Sequence, residues 1–209
     1  MDYAAARKVM VDSQVRVNDV TDRTLQAALM AVPRERYCTP GQAFAAYGEV
    51  EVEIAAGRRL MQVREVSKLI QALDARAGET ALAIAGPYAA AVLAEMMISV
   101  TAQEAEAAVF DVVGPALADA GVASVVAPLT QPTGRDWDMI ISEGAVAVRP
   151  TAWLAALRVG GRLAVVERPG PSGRAVLYVK GREGVSRREL FDAAPPLLAE
   201  MTPAPAFAL

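Results

Sequence analysis

No histidine occurs anywhere in the 209 residues, and cysteine occurs once, at Cys38. Histidine is the commonest general base and metal ligand near neutral pH. Its absence rules out Ser-His-Asp and Cys-His mechanisms. With a single cysteine, no zinc-type donor set is left either, and no metal is expected. One cysteine cannot close an internal disulfide, and Cys38, after an aromatic residue in an expected loop, reads as a passive thiol. Positive charge is not in excess: 21 Lys and Arg face 24 Asp and Glu, a net charge of −3. A general nucleic-acid binder carries a basic domain or stripe. Here Arg182, Arg187 and Arg188 make only a small cluster on an expected solvated terminal segment, so no nucleic-acid partner is expected. Long apolar runs are missing too. Charges interrupt each one before about 18 residues, short of a membrane span, so no membrane partner is expected. The opening Met1-Asp-Tyr-Ala-Ala-Ala-Arg-Lys8 lacks the basic-then-apolar order of a signal peptide. A cytoplasmic location is the expectation.

What the chain does have is apolar residues, 54% of the total, much of it alanine suited to close helix–sheet packing. The length supports one substantial core. Two helices are expected over 2–16 and 22–31, the second with Thr21-Asp22 at its N-cap. Residues 33–62 read as loop-rich. A helix follows at 64–75, with Val66, Leu69, Ile70 and Leu73 on one face. Then β and α alternate: strand 80–85, helix 88–97, strand 98–102, helix 104–120, strand 122–127, strand 138–142, helix 150–157 and strand 161–167. The pattern predicts an α/β fold, a doubly wound, mostly parallel sheet covered on both faces, with an N-terminal helical addition. Residues 174–180 read as a further strand after a turn at Gly170-Pro-Ser-Gly173. The proline-rich tail, Ala193-Ala-Pro-Pro196 and Pro203-Ala-Pro205, reads at most as an edge strand. The organisation expected is an N-terminal helical and loop segment, 1–62, packed on an α/β domain, 63–209, as one compact unit.

Glycine is scarce at one telling place. Ala81-Leu-Ala-Ile-Ala-Gly-Pro-Tyr-Ala-Ala-Ala-Val-Leu-Ala94 reads as strand, tight turn and helix, the first half of a nucleotide-type α/β unit. The helix N-terminus of such a unit usually receives an anionic or polar cofactor group. The loop normally needs several glycines so that backbone can approach the ligand. Only Gly86 is present, and Pro87, which has no N–H, follows it. Proline at a first helical position favours the helix itself.

The motifs around this loop resemble one family. Met10-Val-Asp-Ser-Gln-Val-Arg16, Val20-Thr-Asp22, Val32-Pro-Arg-Glu-Arg-Tyr37, Ala45-Ala-Tyr47, Tyr88-Ala-Ala-Ala-Val-Leu-Ala94, Asp138-Met-Ile-Ile141 and Gly160-Gly-Arg-Leu163 follow the order and spacing of the protein-L-isoaspartate O-methyltransferases. The resemblance covers most of the chain. It implies a Rossmann-like fold binding S-adenosylmethionine (SAM), whose methyl group goes to a protein carboxylate.

By the same resemblance the cofactor-binding positions are Ala83, Ala85, Gly86, Tyr88, Gln103 and Glu104, and several are altered. Ala83 stands for the acid that helps hold the SAM ammonium. Ala85 stands for the first glycine, and the loop is about two residues short. At the end of the second core strand, where the family has an acid for the ribose hydroxyls, Gln103 is nearer in register and Glu104 follows. Glu104 also reads as a solvated helix-start glutamate. Pro128 lies near the position of an acid that helps place the adenine. On the substrate side, Met61 stands at the acceptor-site serine and Val63 at a proline. No catalytic residue is retained there, methionine being apolar and at most a weak acceptor. Arg58 and Arg59 read either as ligands for a carboxylate or as exposed turn arginines.

Two functions lead, with a pocket rebuilt for another small ligand as a third. One is a degenerate pseudo-methyltransferase, no longer binding SAM and acting as a binding or structural partner of an unidentified protein or of a second copy. The other is an active SAM-dependent carboxyl methyltransferase repairing isoaspartyl residues. Because SAM is already activated, alignment supplies most of the catalysis, so missing histidine does not exclude activity.

Overall fold

A computed structural model describes residues 1–203 of the chain. Helix α1, Tyr3–Met10, begins at the Asp2 N-cap, whose side chain accepts a hydrogen bond from the Ala5 N–H. It runs on through a wider π turn at Val11–Val15 and a tight 3₁₀ turn at Arg16–Asn18. Helix α2, Arg23–Ala31, is capped by Asp22, which accepts from the Thr24 and Leu25 amides. The expected cap is therefore present.

The region read as loop-rich contains two 3₁₀ turns, Arg34–Tyr37 and Pro40–Ala45, and a small antiparallel hairpin of β1, Val52–Ala55, and β2, Arg58–Leu60. Its two-residue turn, Ala56-Gly57, has both φ angles positive, +50° and +77°, the arrangement that matches strand twist. Strands this short leave little alternation to read, and alanine is an unusual residue for the first turn position. Helix α3, Val63–Leu73, follows, and the expected face of Val66, Leu69, Ile70 and Leu73 is wholly buried.

The α/β part then runs β3 (Thr80–Ile84), α4 (Pro87–Glu95), β4 (Ser99–Glu104), α5 (Ala107–Asp119), β5 (Ala123–Val126), β6 (Trp137–Val146), α6 (Thr151–Ala156), β7 (Leu157–Glu167), β8 (Arg174–Lys180) and β9 (Val185–Asp192). The seven-stranded sheet has the order β5-β4-β3-β6-β7-β8-β9. Its first five strands are parallel, and β8 and β9 are antiparallel to their neighbours. The chain winds outward from β3 in one direction and from β6 in the other. The crevice above the carboxyl ends of these two strands is the switch point where such sheets receive ligands. The expected mostly parallel, doubly wound fold is the one observed. Apolar residues of α1, α2 and the β1–β2 hairpin share one continuous core with α3, β3 and α4.

Two expectations at the C-terminal end meet different outcomes. Arg187 and Arg188 are solvent-exposed, as expected. They belong to β9, the edge strand, where Arg187 pairs with Glu167 at 2.7 Å. The proline-rich tail forms no edge strand among its described residues, and the remainder lies outside them. Instead it returns across the sheet: Leu197 bridges to Ala145 in parallel, Leu198 N–H donates to the Ala145 carbonyl, and Ala147 N–H to that of Met201. Strand β4 also runs two residues beyond the expected end at 102, taking in Gln103 and Glu104. Among the described residues, no helix is long and apolar enough to cross a membrane.

Candidate functional site at the switch point

The turn after β3 keeps a glycine-type backbone without the glycine. Ala85 sits at φ +51° and is wholly buried. A residue with a Cβ pays roughly 1 kcal/mol or more for this left-handed conformation. The Ala85 N–H donates to the Gln103 carbonyl at 2.9 Å, which ties the turn to β4. Gly86 precedes Pro87 at the first position of α4. A Cβ on Gly86 would lie 3.4 Å from the Glu143 backbone nitrogen and 3.5 Å from Glu143 Cγ, so glycine here gives room to Glu143. Ala83 lies midway along β3, paired with Ala102 and Ile141, and its methyl group is buried in the main core.

Glu143 is not among the residues singled out from sequence, and it is central. It projects from β6 and is 1% exposed. One carboxylate oxygen accepts the Ala89 amide, in the first turn of α4, at 2.8 Å; the other accepts the Met61 amide at 3.4 Å. The α4 N-terminus, the natural anion seat of the fold, thus holds the chain's own carboxylate. Burial pushes Glu143 up from its ordinary range, against the pull of Arg34 and the amides of Ala89, Met61 and Tyr88.

Arg34 is equally buried, at 0% exposure. Its Nε donates to the Ala46 carbonyl at 2.8 Å and one terminal nitrogen to the Met61 carbonyl. Its guanidinium carbon lies 4.5 Å from the centre of the Tyr88 ring, a cation–π distance. Its other terminal nitrogen, Nη1, has no hydrogen-bond partner among the described residues, and neither does the Tyr88 hydroxyl. Tyr88 also meets Tyr37 edge-on at 5.7 Å, and burial holds its phenol neutral. The Tyr88 ring is therefore committed to Arg34 and Tyr37. Met61 is buried, with its carbonyl on Arg34 and its amide on Glu143.

The end of β4 overturns one of the readings offered for it. Glu104 is not a solvated helix-start residue: it is 1% exposed. Arg58, from β2, reaches both of its oxygens at 3.0 Å through Nε and one of them again through Nη2 at 3.0 Å. Arg58 therefore does take a carboxylate, one belonging to the chain, while Arg59 is exposed on β2. Burial pushes Glu104 up to about 7, with Arg58 opposing the shift. Gln103 is wholly buried and spends its amide on the segment after β5. Its oxygen accepts the Thr133 N–H at 2.7 Å, and its nitrogen donates to the carbonyls of Pro128 and Gln131 at 2.8 and 3.0 Å.

Apolar atoms pack beside these groups. Ala85 shares a buried cluster with Leu129, Trp153, Leu198 and Met201. Open clefts lie elsewhere, including one of 380 Å³ beside Val146, Arg149, Glu167 and Arg187 and one of 570 Å³ beside Tyr3, Cys38, Pro40 and Val112. No group of three or more His, Cys, Asp or Glu is placed to hold a metal ion among the described residues.

Of the positions that sequence points to, Met61, Ala83, Ala85, Gly86, Tyr88, Gln103 and Glu104 are gathered by the fold around the ends of β3 and β4 and the start of α4. Sequence reasoning misses Arg34, Glu143 and the destination of Arg58. For Glu143 a signal exists: a carboxylate set in the apolar run Met139-Ile-Ile-Ser-Glu-Gly-Ala-Val146 of a central strand must be buried, and buried charge must find partners.

No family model matches the chain. A protein-L-isoaspartate O-methyltransferase of Methylorubrum extorquens (strain PA1) is 32% identical over 200 residues, covering 93% of this chain and 87% of that protein. Protein-L-isoaspartate O-methyltransferase 1 of Rhodopseudomonas palustris (strain HaA2) is 33% identical over 168 residues, covering 77% and 69%. Among solved structures, a protein-L-isoaspartate O-methyltransferase superposes with a TM-score of 0.79 at 16% identity over 92% of this chain and 66% of its own. A Plasmodium falciparum structure of that description, in complex with S-adenosyl-L-homocysteine, gives 0.78 at 15% identity over 93% and 98%. The structural likeness agrees on the fold, and the sequence identity over nearly the whole length settles ancestry: the chain belongs to the protein-L-isoaspartate O-methyltransferase family.

Proposed function

We propose that this chain is a family member that has given up SAM binding and now serves, in the cytoplasm, as a binding or structural partner. One observation carries the reading: the polar groups around the switch point are bonded to one another. Both oxygens of Glu104 belong to Arg58, the Gln103 amide belongs to residues 128–133, and the Ala89 amide at the α4 N-terminus belongs to Glu143. A SAM ribose seeking a carboxylate here would have to break a buried ion pair. Removing one partner of such a pair costs roughly 3–5 kcal/mol, enough to weaken binding by about two to four orders of magnitude. The residues present do not fit SAM as they are arranged.

The second reading, an active carboxyl methyltransferase acting on isoaspartyl residues, has support in the names of the relatives and in Ala85, whose backbone keeps the left-handed turn of a cofactor loop. Calorimetric titration with SAM and with its demethylated product separates the two. The expected result is no binding at micromolar concentrations and no methylation of an isoaspartyl peptide. A dissociation constant below about 10 μM, near −7 kcal/mol, or turnover of the peptide, overturns the proposal in favour of the enzyme. Sedimentation of the purified chain then tells a homodimer from a monomer that serves a different protein.

A further inference from the structure

We propose that the cradle formed by the α4 N-terminus and the Met61 amide, beside the buried Arg34, is a carboxylate-binding site whose resident ligand is the chain's own Glu143. This deepens the reading above, by naming what occupies the anion seat of the fold, and it rests on that reading for its functional meaning.

Three observations point to a ligand site as distinct from a helix end that happens to be capped. First, the carboxylate is present and doubly held: Oε1 on the Ala89 amide at 2.8 Å, Oε2 on the Met61 amide at 3.4 Å. These donors come from two separate segments, 54 and 82 residues away in sequence. Second, a buried cation neighbours the site and meets it at Met61, whose carbonyl takes Arg34 while its amide takes Glu143. Arg34 is locked by the Ala46 and Met61 carbonyls and stacked on Tyr88, and its remaining Nη1 has no partner among the described residues. Third, the approach is shaped for the glutamate stem. Gly86 leaves 3.4 Å to the Glu143 backbone where its Cβ would be, and Leu198 closes over the neighbouring Gly144. A side chain tethered to β6 meets none of the translational cost that a free anion meets on binding. It therefore holds the seat continuously and keeps outside anions from it.

Removing the tether should turn the internal ligand into an external one. Glu143→Ala deletes the equivalent of acetate, leaving a void with two amide donors beside a guanidinium. The melting temperature of E143A is expected to fall by roughly 6–24 °C, the range for losing two buried hydrogen bonds to a charged group in a chain of this length. Acetate should then restore part of it with saturation, about an elevenfold gain in folding equilibrium at ten times its dissociation constant, or roughly 3–6 °C. Sodium chloride at equal ionic strength and acetamide, of the same shape without charge, should not restore it, nor should acetate raise wild type.

Should E143A fail to fold, Glu143→Gln keeps the volume and removes the charge. It is expected to melt lower than wild type, to ignore acetate, and to shift the Ala89 amide proton upfield in an NMR spectrum. Acetate acting on E143A no better than chloride, or E143Q matching wild type in both stability and Ala89 shift, overturns the inference. These readouts do not involve SAM. Wild type that binds SAM would sink the lost-cofactor reading while leaving the acetate result standing, so the two failures are distinguishable.

Discussion

A carboxylate buried beside an arginine has a stability that depends on pH in a sense opposite to the usual surface glutamate. The unfolded value of Glu104 is near 4.5, and in the folded chain burial raises it to about 7 despite Arg58. Between these values the folded state binds the proton that the unfolded state has released, so stability falls as pH rises. The contribution is complete below pH 4.5 and gone above about 7. Its upper limit is about 3.5 kcal/mol, because each pH unit separating the folded and unfolded values is worth roughly 1.4 kcal/mol. Glu143 and Glu65 are raised in the same direction by burial, so a difference measurement is needed to isolate Glu104. In urea titrations at about pH 5 and pH 8, on either side of the folded value, wild type should lose more stability across the interval than Glu104→Gln, which keeps its amide uncharged throughout. Equal losses in the two proteins would mean that Glu104 is already ionised at the lower pH. Wild-type stability rising over the interval relative to the variant would mean that Arg58 outweighs burial.

At the scale of elements, the sequence is most legible where periodicity is long and the environment uniform. The expected bounds of β3 and α4 lie within a residue or two of those observed. A parallel central strand is apolar on both faces, and Pro87 marks a helix start. The hairpin β1–β2 is not legible, because seven residues split over two strands show almost no alternation, and yet it delivers Arg58 to Glu104. Site positions are legible as places and not as partnerships. Nothing in the order of residues says that Arg34 will reach Met61 across 27 positions or that Gln103 will serve a loop 30 residues on. The returning tail escapes for a similar reason, its prolines arguing against a strand without showing that Leu197 bridges β6. Its seat can be tested at Gly144. A Cβ there would lie 2.3 Å from Leu198 Cδ2 and 2.6 Å from Cγ, too close for a rotamer change at the tip alone. Gly144→Ala should cost about 1–3 kcal/mol by overpacking, and limited proteolysis should cut near residues 196–203 faster than in wild type. Unchanged cleavage and melting would show that the tail accommodates the methyl group.

For the whole molecule, the proposal that SAM binding is lost leaves two routes to that loss, one damaged loop or a rebuilt crevice. The two predict different outcomes for a graft. Replacing residues 83–87 with an acid and three glycines at family length supplies the missing loop, relieves the left-handed alanine at 85 and leaves α4 in place. If the loop were the whole defect, micromolar binding would return. The contacts around it argue otherwise, because the groups that would complete the site are engaged with partners the graft does not touch. Arg58 would still hold Glu104, residues 128–133 would still hold Gln103, and Leu129, Leu198 and Met201 would still pack beside the turn. Each polar group freed for a ligand must first lose a partner, and charged hydrogen bonds contribute roughly 1.5–3 kcal/mol apiece. The graft alone is therefore expected to show no binding by calorimetry at about 100 μM SAM, a concentration that would register any affinity tighter than roughly −5.5 kcal/mol. Adding Arg58→Ala to the graft releases Glu104 and is the combination expected to show weak binding, in the millimolar range, by NMR titration. Tight binding by the graft alone would mean that the internal contacts give way cheaply, and that the chain is one short loop from its relatives.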